Sequence, residues 1–257
     1  MKSLIEKITT SDIGIALRNI IGFRPLYMSL NNKYKGSISV SDAFLWRTDN
    51  GFKTTFNYTD ILGLFYKIKN SYVEVFFFSK KNVLIKKIVI KNLNYSNELL
   101  IDKEFLNGVE NYGTFYIYHR YNGDFKDDLI LSNRCYVGFS IDNSLSSFVH
   151  GNVLARYQSL NGKYEDTDIV KNSFFANNFY RIQNSFAEFT KSELFFTNPT
   201  SKIINFSIGT NKYSLKKGCS LLINLTEKED LTIMSNCFYL RPLVFNYRNS
   251  FFDVYHG

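Results

Sequence analysis

The sequence predicts an all-β protein built of two tandem antiparallel β-sandwich domains related by an internal repeat, with one short N-terminal helix. Short apolar and aromatic runs alternate with Asn, Gly, Pro and Ser turns along most of the 257 residues. Aromatic residues make up 17% of the chain, with 25 Phe and 18 Tyr, and such residues favour strands. Similar strings also recur, in the same order, in the two halves of the chain.

Residues 1–30 form an N-terminal segment that is predicted to contain the helix. Ser11-Asp12 is a good N-cap and Pro25 ends the run, while apolar residues follow the cap at helical spacing: Ile13, Ala16, Leu17, Ile20 and Ile21. This apolar stripe is expected to cover an open end of the first sandwich. The alternative is that the stripe docks a partner or a membrane surface.

The first β-sandwich is predicted over residues 31–125, where the pattern changes to short runs with a period of two. These runs are Ser37–Val40, Phe44–Thr48, Phe52–Tyr58, Tyr72–Ser79, Val83–Ile90, Glu98–Ile101 and Thr114–His119. Asn50-Gly51 predicts a tight hairpin because both residues accept positive φ. Asp60–Phe65 fits a single helical turn. No helix-length amphipathic segment separates the runs, so antiparallel pairing is favoured over βαβ units.

The second β-sandwich is predicted over residues 133–257, with an irregular insertion at about 158–191. Its strand candidates are Arg134–Ile141, Ser147–Tyr157, Glu193–Thr197, Ile203–Ile208, Leu221–Leu225, Leu231–Ser235 and Tyr239–Tyr247. The insertion is rich in Asn, Ser, Gly and acidic residues, but aromatic residues punctuate it. We therefore expect an ordered excursion that packs onto the body of the domain.

Three pairs of similar strings support a duplication. Glu74-Val-Phe-Phe matches Glu193-Leu-Phe-Phe, Glu98-Leu-Leu-Ile matches Ser220-Leu-Leu-Ile, and Thr114-Phe-Tyr-Ile matches Cys237-Phe-Tyr-Leu. The separations between successive strings are similar in the two halves. This agreement predicts tandem β domains.

The stretch Ser192–Leu225 contains three strand-like runs separated by turns, among them Asn198-Pro199 and Leu215-Lys-Lys-Gly218. In these turns it resembles the middle strands of bacterial immunoglobulin-like or fibronectin-type modules. The resemblance implies a β-sandwich for this part of the chain. The cysteine and tryptophan pattern of antibody domains is missing, so the resemblance carries no functional residues across.

The net charge and the cysteines limit the partners and the cellular location that can be predicted for the protein. The net charge of +8 comes mostly from scattered Lys residues without a run of four basic residues, which favours compositional bias. The alternative is a face that binds nucleic acid, anionic lipid or an acidic glycan. The chain lacks the pattern of an RNA-recognition module, so no nucleic-acid partner is expected. Cys135, Cys219 and Cys237 lack C-x-x-C spacing and indicate reduced thiols. The N-terminus lacks a signal-peptide pattern, and no apolar run approaches the ~18–20 residues of a membrane helix. A cytoplasmic protein without a membrane span is expected.

Two of the three histidines are candidate catalytic residues. His119 stands at a strand end and His150 precedes Gly151, and together they could transfer protons or bind a metal with Asp49 or Glu193 as a carboxylate. No H-x-H or H-E-x-x-H spacing is present, so the sequence predicts neither a metal site nor a cofactor. Histidines that only form structural hydrogen bonds are the favoured interpretation.

The candidate ligand-binding residues are Trp46, Arg47, Asp49, Arg120, Asn152, Arg156 and Arg181. A tryptophan beside Arg47 and Asp49 at a hairpin could stack on a sugar ring while the charged groups bind its hydroxyls. The alternative is a local salt bridge between Arg47 and Asp49. An arginine such as Arg156 or Arg181 next to apolar strand residues either meets a carboxylate or binds an anion.

The function predicted from these features is that of a non-catalytic binding or assembly protein, whose ligand is a carbohydrate or another protein. β-Sandwiches commonly serve this role, and no complete catalytic constellation is visible. The alternative is an enzyme that acts on a sugar or an anionic sugar derivative through a His/Arg cluster between the two domains. The sequence leaves the oligomeric state open.

Overall fold

The computed structural model describes residues 2–9, 11, 13–14, 17, 36–123, 129–132, 135–142, 144–151, 154–160, 167–168, 178–182, 189–225, 232–237, 240–249 and 251–257. Strands make up most of these residues, which confirms the predicted all-β class. The described strands are β1 (Ile38–Asp42), β2 (Phe44–Arg47), β3 (Phe52–Tyr58), β4 (Tyr72–Ser79), β5 (Leu84–Ile90), β6 (Asn97–Ile101), β7 (Tyr112–Arg120), β8 (Ile130–Ser132), β9 (Cys135–Ile141), β10 (Ser147–His150), β11 (Leu154–Ser159), β12 (Thr167–Asp168), β13 (Asn178–Arg181), β14 (Lys191–Thr197), β15 (Ile204–Ile208), β16 (Asn211–Leu215), β17 (Ser220–Leu225), β18 (Thr232–Ser235), β19 (Leu243–Arg248) and β20 (Phe251–His256).

Helices accompany these strands in the described part of the chain. Helix α1 spans Lys2–Thr9. Of the helix predicted after Ser11-Asp12, the described residues Ile13, Gly14 and Leu17 are helical, and the rest lies outside the described residues. Helix α2 spans Ile61–Tyr66, where Asp60 Oδ1 accepts a hydrogen bond from Gly63 N at 2.9 Å, and this confirms the predicted single turn. Neither helix is long and apolar enough to cross a membrane, and the same holds for every helix in the described residues.

At the predicted Asn50-Gly51 hairpin, a short 3-10 turn, Asp49–Gly51, connects β2 to β3. Asn50 has a φ of 52° and Gly51 a φ of 77°, so both residues lie in the left-handed region, as the sequence predicted for this turn. The predicted turn is therefore confirmed, but the predicted hairpin is wrong, because β2 pairs with β7 whereas β3 pairs with β6 and β9.

The described strands form five four-stranded sheets, with the orders β12-β11-β1-β8, β10-β9-β3-β6, β2-β7-β4-β5, β13-β18-β15-β16 and β17-β14-β19-β20. Among the described pairings, β1 with β8 is parallel and the others are antiparallel. The predominance of antiparallel pairs agrees with the short loops between strands.

The largest core lies between the sheets β2-β7-β4-β5 and β10-β9-β3-β6. Along β3 every second residue from Phe52 to Tyr58 is buried, which is the period expected of a strand with one face on a core. The rings of Phe44, Phe56 and Phe115 meet at the centre, with centroids 4.8 to 5.2 Å apart. Aromatic side chains therefore provide much of the buried area.

The sheet β17-β14-β19-β20 contributes to two cores. Phe195 and Phe245 belong to the largest core, where the Phe245 ring lies 5.0 Å from that of Phe139. The alternate residues Leu194 and Val244 instead pack in a second core against the sheet β13-β18-β15-β16. Because successive side chains of a strand point to opposite faces, this sheet is a layer shared by both cores.

Strand β7 is also buried on both faces. Phe115 and Ile117 point into the largest core, whereas Tyr116 and Tyr118 pack with Ala155 of β11. A small third core thereby attaches the sheet β12-β11-β1-β8 to the back of β2-β7-β4-β5.

Strand pairing crosses the predicted boundary between residues 125 and 133. Strand β9 pairs with β3 and β11 pairs with β1, so residues 135–159 share sheets with the first predicted domain.

The strings matched by the repeat have different neighbours in the two halves of the chain. Strand β6, with the Glu98 string, pairs with β3, whereas β17, with the matching Ser220 string, pairs with β14. Within the predicted insertion the structure describes β12, β13 and the ends of the segment, and the rest lies outside the described residues.

Candidate functional site

Arg47 ends β2, and its side chain is completely buried. Its Nε and Nη2 donate to the two carboxylate oxygens of Asp49 at 3.0 and 2.8 Å, and its Nη1 donates to Glu193 Oε2 at 2.6 Å. The guanidinium also lies 4.0 and 4.8 Å from the ring centroids of Phe52 and Phe245. A buried charge costs free energy unless it is paired, and these groups supply the pairing.

Glu193 completes this network on β14. The Tyr247 hydroxyl donates to Glu193 Oε2 at 2.6 Å, and Lys191 Nζ donates to Oε1 at 2.7 Å. Burial works to raise the pKa of Glu193, but Arg47, Lys191 and Tyr247 outweigh it and lower that pKa below its usual value. Burial likewise works to lower the pKa of Arg47, and its partners raise it instead. Both the Arg47 guanidinium and the Glu193 carboxylate are therefore charged at neutral pH. We call Arg47, Asp49, Lys191, Glu193 and Tyr247 the Arg47 network.

Trp46 lies beside the Arg47 network and is also completely buried. Its indole N–H donates to the backbone oxygen of Phe78 at 2.9 Å, and its ring packs against Gly113, where a Cβ atom would lie 2.9 Å from the ring. Protein atoms therefore cover the Trp46 ring, which the sequence analysis proposed as a surface for sugar stacking. Arg47 and Asp49 form a local salt bridge, which was the alternative to a sugar-binding site at this turn.

Arg120 forms a second buried cluster, with Glu74. Its Nε donates to Glu74 Oε2 at 2.8 Å, its Nη1 to the Ser159 backbone oxygen at 2.5 Å, and its Nη2 to Gln158 Oε1. Lys87 Nζ lies 2.5 Å from Glu74 Oε1. Burial works to raise the pKa of Glu74, but Lys87 and Arg120 lower it. Glu74 and Glu193, the two glutamates matched in the repeat, thus each pair with a buried arginine and a lysine.

The remaining arginine candidates, Arg156 and Arg181, lie on different strands, β11 and β13. Arg156 is 3% exposed, and its guanidinium carbon lies 4.7 Å from the centroid of the Tyr116 ring. Arg181 ends β13 with an exposed side chain, opposite Thr232 of β18. Asn152 lies outside the described residues.

The two candidate catalytic histidines occupy different sheets and environments. His119 on β7 is fully buried, and its backbone N–H donates to Ser39 Oγ at 2.9 Å. His150 at the end of β10 is exposed, and its ring centroid lies 4.2 Å from that of Tyr136. His256 lies near His150, and burial, together with the charges of Arg241 and His150, lowers its pKa to about 4. In the part of the chain that the structure describes, no three His, Cys, Asp or Glu residues form a potential metal site.

The outer face of the sheet β10-β9-β3-β6 exposes two aromatic side chains that the sequence analysis did not select. Tyr136 is 47% exposed and Phe148 is 46% exposed. The Phe148 ring lies directly on Gly138 of the neighbouring strand, because a Cβ atom there would be only 2.5 Å from the ring. Phe148 therefore rests on backbone and shows its other side to solvent.

Polar side chains continue the same face across β3. Strand register places His150 opposite Tyr136 and Tyr136 opposite Asn57, and it places Phe148 opposite Gly138 and Gly138 opposite Thr55. We call this surface of Thr55, Asn57, Tyr136, Phe148 and His150 the aromatic face. The signal for it in the sequence is the glycine within the strand Cys135–Ile141, since such a glycine marks a close approach by another group.

The chain matches no protein-family model, and a search of curated proteins finds no match to it.

Proposed function

We propose that the protein is a non-catalytic carbohydrate-binding protein and that its ligand lies on the aromatic face. The observation that carries the proposal is the pair of half-exposed rings, Tyr136 and Phe148, on adjacent strands. Rings of this kind offer a flat apolar surface to the C–H groups of a sugar. Asn57, Thr55 and His150 lie beside them as donors and acceptors for sugar hydroxyls.

Burial favours binding over catalysis in this proposal. An enzyme of the predicted kind needs His119, His150 and an arginine in one accessible site. His119, Arg47 and Arg156 are buried, whereas His150 is exposed. His150 lies on the surface beside Tyr136, where it can form hydrogen bonds with a sugar, but buried His119 cannot join it as an acid–base pair.

Two β-sandwich units and a cytoplasmic location remain part of the proposal. All described strand pairs lie within β1–β12 or within β13–β20, which favours a boundary between residues 168 and 178. The second core between the sheets β17-β14-β19-β20 and β13-β18-β15-β16 supports a sandwich in the second unit. Cys135, Cys219 and Cys237 are free thiols, as a reducing compartment allows.

An oligosaccharide array, followed by titration calorimetry with the sugars that bind, tests the proposal. Tyr136→Ala and Phe148→Ala are each expected to weaken binding roughly tenfold while the melting temperature changes little, because the removed rings are half exposed. Tyr95→Ala and Phe65→Ala are matched controls, since these side chains are 64% and 67% exposed elsewhere. Equal loss in the controls, or capture of a protein but of no glycan, would contradict the proposal.

A further inference from the structure

Two turns that carry lysine pairs meet at the edge of the shared sheet. The first is the β4–β5 turn, which contains Lys80 and Lys81, and the second precedes β17 and contains Lys216 and Lys217. Ser220 N donates to the Lys80 backbone oxygen at 3.0 Å, which joins the two turns directly. Lys80 and Lys216, which are 136 positions apart in the chain, therefore belong to one surface.

The second turn is held rigidly. Gly218 has a φ of +66°, and it packs so closely on Asn82 that a Cβ atom would lie 2.3 Å from the Asn82 side chain. The buried Asn198 accepts a hydrogen bond from Gly218 N at 2.8 Å and donates from Nδ2 to the Leu215 backbone oxygen at 2.8 Å. The lysines on this turn are thus presented from a fixed backbone.

The four lysines form a local excess of positive charge. Lys81, Lys216 and Lys217 are exposed, and Lys80 is partly buried with its Nζ 5.1 Å from the Tyr112 ring centroid. None of the four takes part in the ion pairs found among the described residues. Neighbouring like charges raise the local potential and attract a multivalent anion.

Exposed aliphatic side chains accompany these charges. Val83 is 61% exposed and Leu84 is 50% exposed, and both follow Lys81 in the same hairpin. Lysines attract anionic headgroups, and aliphatic tips enter the apolar side of a bilayer interface. A nucleic acid would use exposed rings for stacking, and a sugar would use rings and hydrogen-bonding groups, whereas these two tips are aliphatic.

We propose that the lysine junction, meaning Lys80, Lys81, Val83, Leu84, Lys216 and Lys217, is a peripheral binding site for an anionic phospholipid surface. The junction binds lipid headgroups through its lysines and anchors the hairpin through Val83 and Leu84. This site is separate from the aromatic face in sequence and in strand membership, so it stands or falls independently of the sugar-binding proposal.

Vesicle flotation tests this inference with the full chain. We expect binding to phosphatidylcholine vesicles that contain phosphatidylserine, weak binding to pure phosphatidylcholine, and release at high ionic strength. The triple variant K81Q/K216Q/K217Q should partition on the order of 100-fold less, because each lysine near an anionic surface contributes to binding. Lys80 is left unchanged because it packs over Tyr112.

The control variant K69Q/K91Q/K212Q removes the same net charge at exposed positions outside the junction. It should keep most of the vesicle binding, and melting temperatures should show that both triple variants are folded. Val83→Ser should weaken binding at constant charge. The inference is overturned if the two triple variants lose binding equally, if neutral vesicles bind as well as anionic ones, or if the protein binds heparin or RNA but no vesicles.

Discussion

Arg47 Nη1 and Glu193 Oε2 lie 2.6 Å apart although 146 residues separate them in the chain. The contact joins β2 to β14 within a region where both side chains are almost completely buried. A buried ion pair is not in itself a source of large net stability, but the loss of one partner leaves an uncompensated charge in the core. The chain therefore depends on both residues being present together.

Removal of the Arg47 charge should be strongly destabilising. Arg47→Met leaves Glu193 and Asp49 without their shared partner and is expected to cost about 3–5 kcal/mol of unfolding free energy. Arg47→Met combined with Glu193→Gln should cost less than the sum of the single changes, as measured by a urea double-mutant cycle.

The exposed Lys103–Glu110 pair provides the matched control for this experiment. Both side chains are more than half exposed, so Lys103→Met should cost less than about 1 kcal/mol. Additive costs for the Arg47 and Glu193 changes would show that the pair does not act as a unit.

Asp42 should lower stability as the pH rises. Burial raises its pKa from 3.8 to about 6, so the folded chain binds more protons than the unfolded chain between these values. Stability then falls as the pH rises through this window. We expect Asp42→Asn to raise the unfolding free energy by roughly 2–3 kcal/mol at neutral pH and to change it little below the ordinary pKa. Urea titrations at several pH values test this, and a gain that persists in acid would contradict the explanation.

His256 should make the unfolding free energy depend on pH in the opposite direction from Asp42. Its pKa falls from 6.5 to about 4, so the unfolded chain binds more protons in this window and stability falls as the pH decreases. His256→Gln should flatten the acid limb of the stability curve by roughly 1–2 kcal/mol, a figure reduced because solvent partly screens the group. Thermal melts from neutral to acidic pH measure the slope, and an unchanged slope would exclude His256 as its origin.

Gly113→Ala should disturb the packing of Trp46. A Cβ atom at this position would lie 2.0 Å from the Phe78 backbone oxygen and 2.9 Å from the Trp46 ring. We expect a loss of about 2–3 kcal/mol from overpacking. Because Trp46 is the single tryptophan, its emission spectrum reports the change directly.

Gly108→Ala is the comparison variant for this prediction. Gly108 has a φ of +84°, and a Cβ atom added there would meet no other atom within 4 Å, so only backbone strain of about 1–2 kcal/mol applies. A Gly108→Ala variant that loses more stability than Gly113→Ala would contradict the packing argument.

Local features of the fold could be predicted from the sequence because local chemistry determines them. The Asn50-Gly51 turn follows from positive φ at both residues, and α2 follows from the Asp60 cap. The Arg47–Asp49 pair is of the same kind, since two positions separate its members.

Long-range relationships could not be predicted in this way. The sequence suggested Asp49 and Glu193 as carboxylates for a histidine site, whereas both bind Arg47. The period of a strand shows which residues share a face, but it does not show which strand lies beside it, so the pairing of β9 with β3 was missed. Exposure of Tyr136 and Phe148 depends on that same pairing.

The shared sheet also has a consequence for synthesis of the protein on the ribosome. Phe52 and Phe139 pack against Phe245, with ring centroids 5.8 and 5.0 Å apart. When residues 36–160 have left the exit tunnel, that side of their core is still without its cover, which arrives only after β14 and β19 are translated. Nascent chains thus carry an open aromatic surface for the time needed to add the 88 residues from 161 to the end of β19, at ~5–20 residues per second. Chaperone capture during translation is the natural protection for such a surface.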